Sequence, residues 1–319
     1  MKNLLICGRI LVLASKIPAN GGNSGSPSAI YDKCSDAMFQ QATILAPGLL
    51  GASLLMALKE SGLAKRTVAW ARRAETRIQC EAQPWCDAVH QTAPEAVDGS
   101  DLVVLCPPVE YIVPLLQDIA PNLMPGALVT DVGSTKSLIC RDARALDGEW
   151  TFVGSHPMTG SEKTGLANAT PSLFPGRACF VTPLTDTPTD AVERTVRLWR
   201  ELGMEVATTS PEKHDEIVAH ISHLPHLLAS TLCSYLATQD HNWRNFAAGG
   251  LRDTTRVASG DPAMWKAIVS HNKEEIIRSL DGFERELQRL RSALHNEQYF
   301  EVLNQLERAK DYRDRLRVK

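Results

Sequence analysis

The sequence predicts an α/β fold in its first part, built on a parallel sheet, followed by an all-helical second part. Three observations carry this. Short apolar runs alternate with helical stretches as far as about residue 209, an early strand-to-helix turn carries spaced glycines, and strand signals stop after Ser210. Short buried strands alternating with helices pair in parallel through right-handed crossovers. The expected boundaries are an extension over residues 1–40, a sheet domain over 41–209 and a helical domain over 210–319.

The elements follow in order. "MKNLLICGRILVLAS" has the lysine and apolar run of a signal peptide, but Arg9 interrupts the run and the loop-like stretch after it offers no clear cleavage site. No fixed structure is expected before about residue 40, and Met38 is a candidate initiator. "ATILAPGLLGASLLMALKESG" reads as strand, turn and helix ending at Gly62, and "RTVAWARR" as the second strand. "SDLVVLCPP" is a buried strand, "VEYIVPLLQDIAPNL" a helix, "PGALVTDVGSTKSLI" strand, turn and helix start, and "WTFVGSHPM" a further strand. "RACFVTP" and "MEVATTS" bracket a helix and extend the sheet. Ser210 as N-cap and Pro211 in the first turn open a helix expected to reach about Thr238. Further helices are expected at about 242–258, 262–293 and 296–317.

Composition narrows the function classes. With 319 residues, 44% hydrophobic and 22% charged, the chain is an ordinary globular protein. A formal net charge of −3 gives no electrostatic basis for a nucleic-acid or anionic-membrane partner. No run approaches the roughly 18 apolar residues of a membrane span. The 8 cysteines are scattered and form no Cys-x-x-Cys pair, which favours free thiols in a reducing, cytoplasmic setting. Cys106 and Cys233 read as buried thiols acting as small hydrophobes.

"Ala46-Pro-Gly48-Leu49-Leu50-Gly51" stands where a dinucleotide-binding domain of Rossmann type has Gly-x-Gly-x-x-Gly. Gly48 admits a pyrophosphate, Gly51 lets the helix pack on the strand, and the helix N-terminus offers N–H groups and the positive end of its dipole. Ala46 replaces the first glycine. The second strand ends in Arg72 and Arg73 where an NAD site places a carboxylate, so the pattern favours NADP, with NAD as second choice. Ser134, in "DVGSTK", and His156, in "GSHPMTGS", fall at the carboxyl ends of strands, where open α/β sheets bind ligands. The expected cofactor contacts are Gly48, Leu49, Leu50, Gly51, Arg72, Arg73, Pro107 and Ser134.

"DVGSTK", "GSHPMTGSEKTG", "HDEIVAHISHLPH" and "GGLRDTTRVASGDPAMW", in this order, resemble the prephenate/arogenate dehydrogenase family of tyrosine biosynthesis, over roughly residues 41–300. The resemblance implies a dinucleotide-binding domain followed by a helical dimerisation domain. It also implies oxidative decarboxylation of prephenate to 4-hydroxyphenylpyruvate, or the same step on arogenate, with hydride transfer to NAD(P). It makes His156 the group that takes the substrate hydroxyl proton and Ser134 its partner beside the nicotinamide. Arg256 becomes the carboxylate anchor, Ser222, His223 and His226 further substrate contacts, and Gly249 and Trp265 pocket-lining positions. Glu162 and Asp253 are candidates to pair with Arg256 or to gate entry.

Other readings are weaker. His214, His220, His223 and His226 have partly zinc-like spacing, but no acid or cysteine completes a site and Pro225 disturbs the helix, so no metal is expected. A β-hydroxyacid or imine-reducing dehydrogenase would need a catalytic lysine and leaves "SHPMTG" unexplained. A dinucleotide-binding relative without activity has only Ala46 in its favour. The apolar positions of the helical part predict a homodimer. No fused mutase or regulatory domain is expected after the last helices.

Overall fold

A computed structural model describes residues 37–159 and 165–316. The expectation for residues 1–36, and Glu162, lie outside the described residues. Eight strands form one sheet in the order β3-β2-β1-β4-β5-β6-β7-β8. They are β1 (Phe39–Leu45), β2 (Ala64–Trp70), β3 (Ala88–Val89), β4 (Leu102–Leu105), β5 (Leu128–Asp131), β6 (Thr151–Pro157), β7 (Ala178–Thr182) and β8 (Glu205–Thr208). The sheet is parallel except at β6–β7, which run antiparallel. The sheet is thus mostly parallel, as expected, and the reversal at β7 has a local cause. The described residues between β6 and β7 form only short 3-10 turns at Leu166–Asn168 and Pro171–Leu173, and a parallel return needs a full crossover. The two-residue β3 is too short to leave a periodic trace in the sequence.

Alternate residues of the central strands feed opposite layers. Ala42, Ile44, Leu102 and Val104 pack under α1 (Leu49–Ser61) and α6 (Thr189–Glu201), with Leu54, Leu58 and Trp199. Leu45, Val103 and Leu105 pack under α3 (Ala93–Val97), α4 (Val109–Ile119) and α5 (Ser137–Arg144), with Ile112, Leu116 and Ile139. Burial on both faces is why "LVVL" is an unbroken apolar run. Helix α2 (Ala74–Glu81) links β2 to β3. Gly62 caps α1 in the left-handed region at φ 69°, as its place at the helix end predicts.

The helical part departs from the expected spans wherever tertiary contacts intervene. Ser210 accepts from the Lys213 N–H at 3.2 Å and starts α7 (Pro211–Val218). A π-helical turn, Ala219–His223, then precedes α8 (Leu224–Ala237). Pro225 has no N–H to give to the carbonyl four residues back, and its ring would crowd it, so the wider turn relieves both. The stretch expected at 242–258 is a 3-10 turn, α9 (Gly249–Thr255) and a second 3-10 turn (Arg256–Ser259), since Gly249 and Gly250 weaken continuous helix. The helix expected at 262–293 divides at Asn272 into α10 (Pro262–His271) and α11 (Lys273–His295). Helix α12 (Tyr299–Arg315) follows. Ala267 and Ile268 of α10 join the layer under α4, seating the helical part on the sheet. Cys233 is exposed rather than buried, because its position on α8 faces away from the core.

Candidate active site

The strand ends built from "DVGSTK" and "GSHPM" meet the start of the helical part. Asp131, fully buried at the end of β5, accepts from the Gly133 N–H at 2.8 Å and the Ser155 N–H at 3.1 Å. It is also ion-paired with the buried Lys136 ammonium, which donates to the Ser155 carbonyl at 2.9 Å. These contacts bind the Ser134 loop to the His156 strand. Gly154 lets them close, because a Cβ there would lie 2.6 Å from Cys140 Sγ and 2.6 Å from Thr182 Oγ1.

Ser134, His156, Ser222, His223 and Trp265 line one cavity of about 370 Å³, together with Met158, Thr159, Arg177, Met264 and Ile268. His156 is 8% exposed. Burial, and then neighbouring His214, Lys136 and His223, hold its imidazole well below 6.5, so the ring is neutral near pH 7. Burial likewise brings His223 down to about 4. His226 does not line the cavity; it stacks on Trp265 at 3.5 Å between centroids and an interplanar angle of 9°, bracing that wall. Arg256 and Gly249 are exposed and are not among the lining residues of this chain. Asp253 is exposed on α9. A second cavity, of about 390 Å³, runs along Cys233, Trp243 and Leu251 and contains none of the expected site residues.

Along the same edge of the sheet, two strands from β5, the β1–α1 turn has the features a dinucleotide needs. Gly48 has open space where a Cβ would stand. At Gly51 a Cβ would meet Ile44 Cγ2 at 3.1 Å and Cys106 Cβ at 3.2 Å, so helix and strand touch only because it is glycine. Helix α1 has no side-chain cap and no acid in its first turn, so its N–H groups and dipole are available to a phosphate. Leu49 and Leu50 are the first residues of α1, half-buried. Pro107 is half-buried just beyond β4. Arg72 and Arg73 are exposed beyond β2; Arg73 is the N-cap of α2, and the Arg72 guanidinium lies 5.9 Å from the Tyr111 ring centroid. Ala46 takes a left-handed φ of 61°.

Sequence reasoning missed several residues at this site. In sequence His214 stands only among four histidines of partly zinc-like spacing, yet its Nε2 lies 2.9 Å from His156 Nδ1, and Asp215 backs it. Asn272 donates to the Asp215 carbonyl at 2.9 Å and lies 3.2 Å from His223 Nδ1, which explains the break between α10 and α11. Arg177 joins the cavity from the turn before β7 and carries no motif that marks it. The pairing of His214 with an adjacent acid was the available signal; nothing local identifies Asn272 or Arg177.

A doubly wound nucleotide-binding sheet whose ligand edge opens into a histidine-lined cavity under a helical second part defines a dinucleotide-dependent oxidoreductase fold. Comparison with known proteins narrows the class. Residues 54–208 match the profile "Prephenate dehydrogenase, nucleotide-binding domain" and residues 210–308 the profile "Prephenate dehydrogenase, dimerization domain". The chain is 34% identical over 274 residues to prephenate dehydrogenase of Bacillus subtilis (strain 168), covering 84% of this chain and 74% of that protein. It is 30% identical over 262 residues to cyclohexadienyl dehydrogenase of Zymomonas mobilis, covering 81% and 89%. Among solved structures, prephenate dehydrogenase from A. aeolicus in complex with hydroxyphenyl propionate and NAD+ superposes with a TM-score of 0.81 at 28% identity, covering 86% of this chain and 97% of that one. Synechocystis arogenate dehydrogenase does so with a TM-score of 0.76 at 28% identity, covering 86% and 99%. The chain belongs to the prephenate dehydrogenase family.

Proposed function

We propose that this chain oxidatively decarboxylates prephenate to 4-hydroxyphenylpyruvate, with NADP as the preferred hydride acceptor. The observation that carries the reading is the common cavity of Ser134 and a neutral, buried His156, reached from the same strand ends as the open β1–α1 turn. Gly48, Leu49, Leu50, Gly51 and Pro107 would hold the dinucleotide, with Arg72 and Arg73 on its ribose phosphate. When bound, that cofactor supplies a hydride acceptor at its nicotinamide ring.

The residues of this chain do the rest. His156 takes the proton from the ring hydroxyl as the carbon bearing it gives up hydride. The C–C bond to the ring carboxylate breaks, CO₂ leaves, and its electron pair aromatises the ring. The resulting phenolate takes a proton back, so the base consumes none overall. Such a base must rest neutral, and burial keeps His156 so. Ser134 holds the same hydroxyl against the nicotinamide, an orienting role. Ser222, His223 and Trp265 shape the pocket around the substrate. Arg177 supplies a permanent cation in the wall for one substrate carboxylate. Arg256, exposed outside the lining of this cavity, is the anchor for the other that the family resemblance implies.

The protein acts as a homodimer through its helical part, whose α11 and α12 leave Phe283, Leu287, Phe300, Leu303 and Leu306 exposed. Free thiols at Cys80, Cys86, Cys106, Cys140, Cys179 and Cys233 suit the cytoplasm. No helix among the described residues is long and apolar enough to cross a membrane.

Steady-state rates with prephenate and with arogenate, each with NADP and NAD, test the reading. His156→Asn is expected to lower turnover by about 10²–10⁴ while leaving dinucleotide affinity unchanged. Replacing Arg72 and Arg73 by alanine is expected to weaken NADP by about tenfold or more and leave NAD nearly unaffected. Turnover in His156→Asn near that of the unaltered enzyme removes His156 from the chemistry.

A further inference from the structure

His156 is not isolated behind its cavity. Its Nδ1 lies 2.9 Å from Nε2 of His214, and Nδ1 of His214 lies 2.8 Å from Oδ1 of Asp215. Asp215 also accepts from the backbone N–H groups of Lys136, at 2.8 Å, and Ser137, at 2.8 Å, at the start of α5. His214 is fully buried, with the Phe180 ring against it at 5.2 Å between centroids and 83° between planes.

We propose that His214 and Asp215 are positioning residues that set the tautomer of His156, leaving its Nε2 as a bare lone pair for the cavity. This rests on the reading of His156 as the proton acceptor. The logic is a count of hydrogens. Asp215 accepts every contact at its carboxylate, two of them from amides that can only donate, so it is ionised and His214 must give it Nδ1–H. The hydrogen bonds from His214 and Ser137 hold its carboxyl low despite burial, as that requires. Burial keeps His214 neutral, so its Nε2 has a lone pair and no hydrogen. Nδ1 of His156 must therefore donate, and a neutral ring with Nδ1–H has its free pair on Nε2. The opposite tautomer would present a hydrogen to the substrate hydroxyl and could not take its proton.

The relay also ties the two parts of the chain together. Asp215 belongs to the helical part, yet its carboxylate closes the N-terminus of the helix that follows the Ser134 loop. When His156 takes a proton, its Nδ1–H stays directed at a neutral acceptor backed by a carboxylate. The remaining charged and titratable groups facing the ring are Lys136, itself paired with Asp131, on the β5–α5 loop, His223 on the π-helical turn, and Arg177 in the cavity wall.

Two measurements on the full-length enzyme test this. In the unaltered protein labelled with ¹⁵N-histidine, long-range ¹H–¹⁵N spectra are expected to show His156 protonated at Nδ1 and bare at Nε2 near pH 7; hydrogen on Nε2 would overturn the proposal. This needs no turnover, so it stands apart from the assignment of substrate. In kinetics, His214→Leu removes the acceptor at nearly constant size. It is expected to lower kcat at least about tenfold with KM within about twofold, and to move the acid limb of the kcat profile to lower pH. His214→Gln, whose amide oxygen can accept the Nδ1–H, is expected to recover part of the rate. Equal loss in both variants with an unmoved acid limb, the mark of a merely packed side chain, would refute the relay, as would full activity in His214→Leu.

Discussion

Ala46→Gly bears on the one position where the dinucleotide turn departs from its glycine pattern. Ala46 sits at φ 61°, where its Cβ crowds the following carbonyl. That conformation costs an alanine about 1–2 kcal/mol relative to glycine. Glycine in turn adds freedom to the unfolded chain, which offsets about 0.4–1 kcal/mol. The contacts that fix the turn are backbone contacts, Ala46 N–H to the Trp70 carbonyl at 2.7 Å and Gly48 N–H to the Ala46 carbonyl at 2.9 Å, and they survive the change. The net expectation is a gain of up to about 1.6 kcal/mol, read as a rise in Tm of up to about 3 °C by scanning calorimetry without cofactor. Ala46→Val, branched at Cβ, is expected to melt below the unaltered protein. Dinucleotide affinity is expected to stay within about twofold in Ala46→Gly, since a preserved turn changes binding by less than about 0.4 kcal/mol. If Ala46→Gly melts at or below the unaltered protein, or Ala46→Val matches it, the strain argument is wrong.

Gly51→Val should be more damaging, because its side chain meets Ile44 and Cys106 at the closest contact of α1 with the sheet; a loss of dinucleotide affinity of about tenfold or more by fluorescence titration is expected, and undiminished binding would count against the packing argument. Lys136→Met leaves Asp131 as an unpaired buried charge, and urea unfolding should show a loss of about 3–5 kcal/mol, partly restored by adding Asp131→Asn. The buried histidines make the fold sensitive to mild acid. His223, lowered from 6.5 to about 4, binds fewer protons folded than unfolded across that window, so its contribution is complete above 6.5 and is lost as pH falls toward 4. That one group accounts for roughly 3 kcal/mol, with His156 and His214 acting in the same direction. Denaturation midpoints that do not fall between pH 7 and 5 would contradict it.

Much of this molecule could be read one segment at a time. The unbroken "LVVL" run, Gly62 after an apolar helix, and Ser210-Pro211 before a charged turn each carry their conformation in neighbouring residues, because propensity, capping and burial on both faces act over a few positions. The same holds for the β1–α1 turn and for Ser134 and His156, whose places at strand ends follow from where the strands stop. What neighbours in sequence do not encode is who meets whom across the fold. The antiparallel turn of β7, the split at Asn272, the inclusion of Arg177 in the cavity and the line from His156 through His214 to Asp215 all join segments some 20 to 80 residues apart. The first forms within the sheet and the others bring the helical part onto it, and a hydrogen bond or a buried charge is decided by distance in space, which sequence spacing alone does not specify.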